Sequence, residues 1–349
     1  MNENIVDWFT RSETLYLIGA GCSKCCDKPL IGELTKIVIS EQNADVQSLF
    51  DDLSSENQTP LNIEDFLNFL LGMLSLSKKT TRQLVTNFSN DAIDDAIMSI
   101  CRSIVQAIAD DWQSSDYHAR FLRRVAQDGK ARDIFTLNYD TLIESTLEDL
   151  MFPYVDGFHG ANRAFFDHTL FEQTRTPNPK FNLFKLHGSI NWVRDANEVP
   201  RRIPLNSLDD SLDRLLIYPS EQKYIETRYG IYENLMKIFR HKLRSSKSNT
   251  LLVTLGYSFN DLHINEAIID AISTDNNNLT LIGFVGADTD LAGQQARLEK
   301  IALRRPSQIN FYVGNKFFIG DALDRGESED LLSRDLWRFE CAVDFIAGK

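Results

Sequence analysis

Six short apolar runs, each closed by a glycine or an asparagine, restrict what this chain can fold into: LYLIGAG from Leu15, DIFTLN from Asp133, FNLFKLHG from Phe181, TLLVTLG from Thr250, TLIGFVG from Thr280 and INFYVG from Ile309. Branched and aromatic residues in such runs read as buried strands. Helical patterns lie among them, over Thr141–Leu150, Lys223–Arg244, Asp261–Ile272 and Leu291–Leu303. The order resembles repeated strand–crossover–strand units and predicts an α/β fold, a Rossmann-like parallel sheet of about six strands flanked by helices. The ligand site of such a sheet lies beyond the carboxyl ends of its strands, near the switch in strand order, which is where each Gly- or Asn-containing run ends.

With 349 residues, the chain exceeds what one core usually organises, so one large domain with an insertion, or two domains, is expected. About ninety residues, Glu41 to Gly129, separate the first two strands, far more than a crossover helix needs. Leu61–Leu76 and Asp91–Trp112 carry apolar residues at helical spacing, which predicts an inserted helical subdomain over 41–129, with 1–40 and 130–349 forming the sheet domain. Plain bundle packing explains those stripes better than a partner groove. Two further insertions follow: Met151–Lys180, rich in aromatics, Gly and Pro, and the polar Arg194–Asp213.

Composition narrows the function. No stretch nears the roughly 20 apolar residues of a membrane span, and MNENIVDWFT lacks the flank and core of a signal peptide. A cytoplasmic protein is expected. A net charge of −13 argues against direct nucleic-acid binding, which needs clustered Lys and Arg; Arg120, Arg123 and Arg124 read as a solvated helix face. Five cysteines, three of them in Cys22, Cys25 and Cys26, show no framework spacing and fit reduced thiols. Beyond Cys22-x-x-Cys25 only the isolated Cys101 and Cys341 remain, so no metal is expected. The cluster reads as small apolar packing, with a redox switch as the alternative.

The first strand runs into Gly19-Ala20-Gly21-Cys22-Ser23. Glycines after a strand let the backbone turn and approach a diphosphate, but Lys24 stands where the third glycine of a dinucleotide fingerprint belongs. A tight structural turn explains the same residues. Three later strand ends add polar groups: Asn138 and Asp140 in TLNYD, His187 in KLHGS, and Ser258 beside Gly256 in GYSFND. Asn138 and Asp140 could also cap the helix that starts near Thr141.

GAGCS, TLNYD, KLHGSINW and GYSFNDLHI, in that order, resemble the motifs of sirtuin-like proteins, most closely the bacterial antiphage-defence branch. The resemblance runs from about Leu15 to Gly314 and includes the NIEDFL segment of the insertion. It implies NAD as substrate and no metal, with Gly19, Ala20, Gly21 and Ser23 at the pyrophosphate, Asn138 and Asp140 at the nicotinamide and ribose, His187 at the reacting ribose, and Gly256 and Ser258 holding the ribose and phosphates. Protein deacylases of the family carry a zinc ribbon of two Cys-x-x-Cys pairs after the catalytic histidine. Here no cysteine lies between Cys101 and Cys341. The resemblance therefore implies an NAD hydrolase releasing nicotinamide and ADP-ribose in antiphage defence, ahead of a non-catalytic NAD or ADP-ribose sensor and of a deacylase. No sensor domain, Walker loop or helix-turn-helix signature is evident, so control is expected from a homo-oligomer or from a separate protein such as an ATPase.

Overall fold

In a computed structural model the described residues are 14–56, 61–77, 89–109, 116–127, 130–172, 181–195, 197, 199–205, 213–216, 230–245, 250–275, 277–320 and 325–348. The amino-terminal MNENIVDWFT, residues 110–112 of the second helical stripe, 223–229 of the pattern before Arg244, and parts of the two later insertions lie outside them.

The strands in chain order are β1 Thr14–Ile18, β2 Arg132–Thr136, β3 Tyr154–Val155, β4 Phe158–His159, β5 Ala164–Phe166, β6 Phe181–Lys185, β7 Gly188–Arg194, β8 Pro200–Arg202, β9 Asp213–Leu216, β10 Thr250–Leu255, β11 Leu279–Val285, β12 Ile309–Val313 and β13 Phe317–Ile319. The helices are α1 Ile31–Ser40, α2 Ala44–Glu56, α3 Ile63–Ser77, α4 Asn90–Ala109, α5 Asp116–Val125, α6 Leu142–Asp149, α7 Ile231–Arg244, α8 Leu262–Ser273, α9 Leu291–Ala302, α10 Arg325–Ser333 and α11 Phe339–Ile346.

All six apolar runs are strands of one eight-stranded sheet, ordered β13-β12-β11-β10-β1-β2-β6-β3. Every pairing is parallel except β12 with β13. Its centre, β6-β2-β1-β10-β11-β12, has the doubly wound Rossmann order, with the switch between β1 and β10. Two short edge strands, β3 and β13, enlarge the sheet beyond the expected six. A second sheet, β4-β5-β8-β7-β9, is antiparallel; β4, β5 and β8 come from the two later insertions, whereas β7 runs between them and β9 follows the second.

Successive strand residues face opposite layers, as the period of two requires. Leu15, Leu17, Leu252 and Leu281 pack with α7, α8 and α9, whereas Tyr16, Ile18, Val253 and Ile282 pack with α5, α6, α10 and α11. Arg120 and Arg124 are not a solvated face: Arg120 pairs with Asp344, and Arg124 Nε donates to the Ile346 carbonyl at 2.9 Å, tying α5 to α11. A third cluster joins Leu34 and Val38 of α1, Val46 of α2, and the apolar stripes of α3 and α4. It extends to Tyr139 and Ile190, which lie just past the ends of β2 and β6. These helices therefore cover the carboxyl-end side of the sheet.

The two halves meet backbone to backbone at the switch. Gly19 N donates to the Leu255 carbonyl at 2.9 Å and Gly21 N to the Gly256 carbonyl at 3.0 Å. A Cβ on Gly19 would lie 2.5 Å from the Gly256 oxygen, one on Gly21 2.7 Å from the Gly256 Cα, and one on Gly256 2.5 Å from Cys22 N. Gly256 also has φ +64. Gly256→Ala combines left-handed strain with a backbone clash and should cost at least about 2 kcal/mol. Gly32→Ala, in an exposed helical position with nothing within 4 Å, should be neutral or stabilising by about 0.5–1 kcal/mol. Urea denaturation of both variants checks this; equal effects would refute the close-packing role.

Candidate active site

Loops leaving β1, β2, β6 and β10 bring two polar groups to the carboxyl ends of the central strands. The first joins Ser23, Asn138 and Asp140. Asn138 Nδ2 donates to the Gly19 carbonyl at 3.1 Å and to Ser23 Oγ at 2.9 Å, and Ser23 Oγ donates to Asp140 Oδ2 at 2.6 Å. A carbonyl only accepts, so the amide nitrogen must face Gly19 and the amide oxygen points the other way. Asp140 Oδ1 accepts from Leu142 N at 3.1 Å. Asp140 thus caps α6 with one oxygen while holding Ser23 with the other, and Asn138 takes no part in the cap.

Beneath this network lies a buried ion pair. Lys185, at the end of β6, is 2.8 Å from Glu144 of α6, and its ammonium also donates to the Asp140 carbonyl. Burial pushes the Glu144 carboxyl up, and the Lys185 charge offsets part of that rise. Two charges sequestered together gain little net stability, but removing either would strand the other. Their use here is to fix the turn that presents Asp140.

The second group is a histidine–carboxylate pair. The chain leaves β6 at Leu186, and Gly188 with φ +90 redirects it into β7, leaving His187 between the two sheets. His187 Nε2 is 2.9 Å from Asp261 Oδ2. Asp261 is the N-cap of α8, its Oδ1 accepting from His263 N at 2.9 Å and Ile264 N at 3.2 Å. Burial raises the Asp261 carboxyl, but the bond and charge of His187, with the two amides, outweigh it and hold the group below the ordinary range. An ionised carboxylate can only accept, so the nitrogen facing Asp261, Nε2, carries a proton, and Nδ1 is the ring nitrogen turned away from that bond. Asp261 lies within a quoted motif, yet the sequence reading gives it no role. Its signal was the N-cap pattern, an Asp directly before the apolar LHI.

Glu64, from the NIEDFL segment, approaches from α3. Tyr139 Oη donates to its Oε1 at 3.3 Å. Burial pushes the Glu64 carboxyl up to about 7, with His187 and the Tyr139 bond pulling it down and Asp261 and Asp65 pushing it further up. No spacing rule could find Glu64, because its partners are distant in sequence.

The glycine turn is held by backbone bonds, as a tight structural turn requires. The amides of Gly19 and Gly21 donate to carbonyls of the other half of the sheet, and the Cys22 amide donates within the turn to the Gly19 carbonyl, so all three are engaged by backbone. Ala20 and Ser258 are exposed, and Ser23 is buried. Cys22 lies in the core, where burial, followed by Asp140, pushes its thiol well up; it is an apolar packing residue.

Residues 132–304 match the SIR2-like domain family. The match covers slightly less than half of the chain. This SIR2-like segment holds Asn138, Asp140, His187, Gly256 and Asp261, while Gly19, Ser23 and Glu64 precede it. Among solved structures, two substituted forms of a Sir2 homologue in complex with ADP-ribose overlay with TM-scores of 0.44 and 0.45 at 12% identity, over 100% and 99% of this chain and 99% and 98% of theirs. A structure described under the mechanism and regulation of Sir2 enzymes gives 0.39 at 11% identity, over 87% of this chain and 97% of its own. No residue correspondence follows at these scores. No curated protein sequence matches significantly.

Between its unfolded value of about 4.3 and its folded value of about 7, Glu64 binds more protons in the folded state. Stability should therefore fall as pH rises through that window. Glu64→Gln should flatten this segment of the stability–pH profile, read by chemical denaturation at several pH values. An unchanged slope would place the carboxyl in an ordinary solvated environment.

Proposed function

We propose that this chain is an NAD hydrolase that breaks the bond between nicotinamide and ribose. The carrying observation is that the loops on the two sides of the switch in strand order each fix one polar side chain: Asn138 held by Gly19 and Ser23 after β1, and His187 held by Asp261 after β10. The SIR2-like match over 132–304 supports NAD as the substrate.

In this reading Gly19, Ala20, Gly21, Ser23, Gly256 and Ser258 frame the NAD site. The glycines shape the floor, and Ala20 and Ser258 offer the exposed edge. The anomeric C–N bond breaks with its electron pair going to nicotinamide, which leaves neutral as positive charge develops on the ribose. Asp140 supplies negative potential and holds Ser23. The Asn138 amide oxygen accepts a hydrogen bond from the incoming water, and His187 Nδ1 takes the water's proton as the new C–O bond forms. The products are nicotinamide, ADP-ribose and one proton. Each step uses groups of this chain, without a metal.

The absence of cysteines between Cys101 and Cys341 favours hydrolysis over deacylation. Among the described residues no helix is long and apolar enough to cross a membrane; a cytoplasmic location is part of the proposal. A role in antiphage defence, homo-oligomer formation and control by a separate protein such as an ATPase belong to the same proposal. They rest on the sequence resemblance and on the hazard of an unrestrained NAD hydrolase to its own cell.

Purified chain incubated with NAD should release nicotinamide, and His187→Ala should lower turnover by about 10²–10⁴-fold. Because His187 partners a buried carboxylate, that variant should also melt at a lower temperature while keeping its circular dichroism spectrum. Asp261→Asn keeps an N-cap acceptor but loses the charge that sets the imidazole tautomer, and should lower turnover at least tenfold. A folded His187→Ala protein retaining more than a tenth of parental turnover would sink the catalytic assignment. Turnover per chain should rise with protein concentration, alongside larger species in light scattering. A fully active monomer would remove the assembly part of the proposal and leave the chemistry.

A further inference from the structure

We propose that Cys25, Cys26 and His118 form a binding site for one zinc ion, separate from the NAD site. Cys25 and Cys26 end the short 3-10 helix Ala20–Cys26, and Asp27, in the left-handed region at φ 57, closes the turn behind them. His118 lies on α5 and is buried, its ring 4.7 Å from that of Phe339 on α11. The three ligand atoms form a nearly equilateral triangle: Sγ to Sγ 4.0 Å, and each Sγ to His118 Nδ1 3.9 Å.

That triangle decides between the available chemistries. Its edges lie at the outer limit of a sulfur hydrogen bond and are about twice the length of an S–S bond. The point equidistant from the three atoms is about 2.3 Å from each, close to Zn–S at about 2.3 Å and slightly beyond Zn–N at about 2.0–2.1 Å. Raising the ion by about 0.5 Å toward a fourth ligand barely lengthens those bonds, and both thiols are half-buried, so water can complete a tetrahedron. Two thiolates and one imidazole select zinc over the oxygen-seeking Mg²⁺ and Ca²⁺. Binding replaces two thiol protons, which are released to solvent.

The Cys-x-x-Cys spacing suggested by the sequence is not the one used. Cys22 packs in the core, and Cys25 joins its chain neighbour and a histidine 93 residues away. The ion would clamp the 3-10 helix to α5. Ser23, which holds both Asn138 and Asp140, lies in that same helix, so the clamp steadies the NAD site from behind without touching it.

The full chain, purified under reducing conditions, should bind about one Zn²⁺, measured by elemental analysis and by titration against a chromophoric chelator. Cys25→Ser and Cys26→Ser should each weaken binding at least about a hundredfold, more than a typical loss of a supporting partner. Co²⁺ in place of Zn²⁺ should give a thiolate-to-metal charge-transfer band that each serine variant diminishes. Zn²⁺ should raise the parent's Tm by a few degrees and leave the variants unmoved. His118→Gln, which keeps a polar side chain on α5, should also weaken binding. Three outcomes would overturn the site: no Zn²⁺ bound at micromolar concentration, equal affinity in parent and both serine variants, or loss of both thiols to a disulfide in the reduced preparation. None of these readouts depends on NAD turnover, so the zinc proposal and the hydrolase proposal fail separately.

Discussion

The architecture depends on how closely β1 and β10 approach where they end. The Gly19–Gly21 turn and Gly256 make contacts that no Cβ would allow, and the two amide-to-carbonyl bonds across them join the halves of a doubly wound sheet at its switch. Chain sterics therefore fix where the site can be. With the turn seated against Gly256, Ser23 faces the loop after β2, and the hydroxyl can accept from Asn138 while donating to Asp140. The glycines that suggest phosphate binding by their sequence act first as the joint that makes a binding floor possible.

The central fold was legible because its signal is local and strong. Each of the six strands is buried on both faces and stops at a Gly or Asn, and each departure from strand to helix has its own turn residue. What escaped notice is short or non-local. β3 and β4 have two residues each, and β5, β8 and β13 three, too few for a period of two to register. Three of the second sheet's five strands, β4, β5 and β8, are such pieces and lie in the insertions Met151–Lys180 and Arg194–Asp213; the longer β7 follows the histidine motif directly, where its SINW reads as the tail of that motif. The glycine, asparagine, aspartate and histidine motifs marked the ends of the right strands. Their partners were harder to see. Asp261 offered an N-cap pattern, but its partner His187 comes from the loop after β6, on the other side of the switch in the sheet order. Glu64 and His118 gave no local sign, since contacts across 75 residues and more bring them to Tyr139 and to the thiols.

Buried charges near the site differ in how their burial is compensated. Lys185 and Glu144 form a pair, which costs desolvation and contributes mainly by fixing a loop. Asp261, equally buried, is stabilised as a carboxylate by an imidazole and two helix amides. Glu64 has a phenol and the His187 charge to set against its burial, and its carboxyl is pushed up to about 7. Burial raises all three carboxyls, and the charges and hydrogen bonds each meets decide how much of that rise remains: part of it at Glu144 and Glu64, none at Asp261.

Glu64 also connects the helical insertion to the chemistry. The buried cluster of α1 to α4 does not stop at the insertion's own residues; it includes Tyr139, between Asn138 and Asp140, and Ile190, three residues after His187. Packed side chains have no slack with which to absorb a displacement. A shift of α3 would move the Tyr139 ring and the Glu64 carboxyl together, and the Ser189 hydroxyl and Ile190 amide are both bonded to the Tyr139 carbonyl. The backbone on either side of the imidazole and the amide is therefore braced by the insertion. A fold of this kind can keep the helices as a fixed roof or use their position to set the geometry of the site, and in either case the coupling runs through Tyr139.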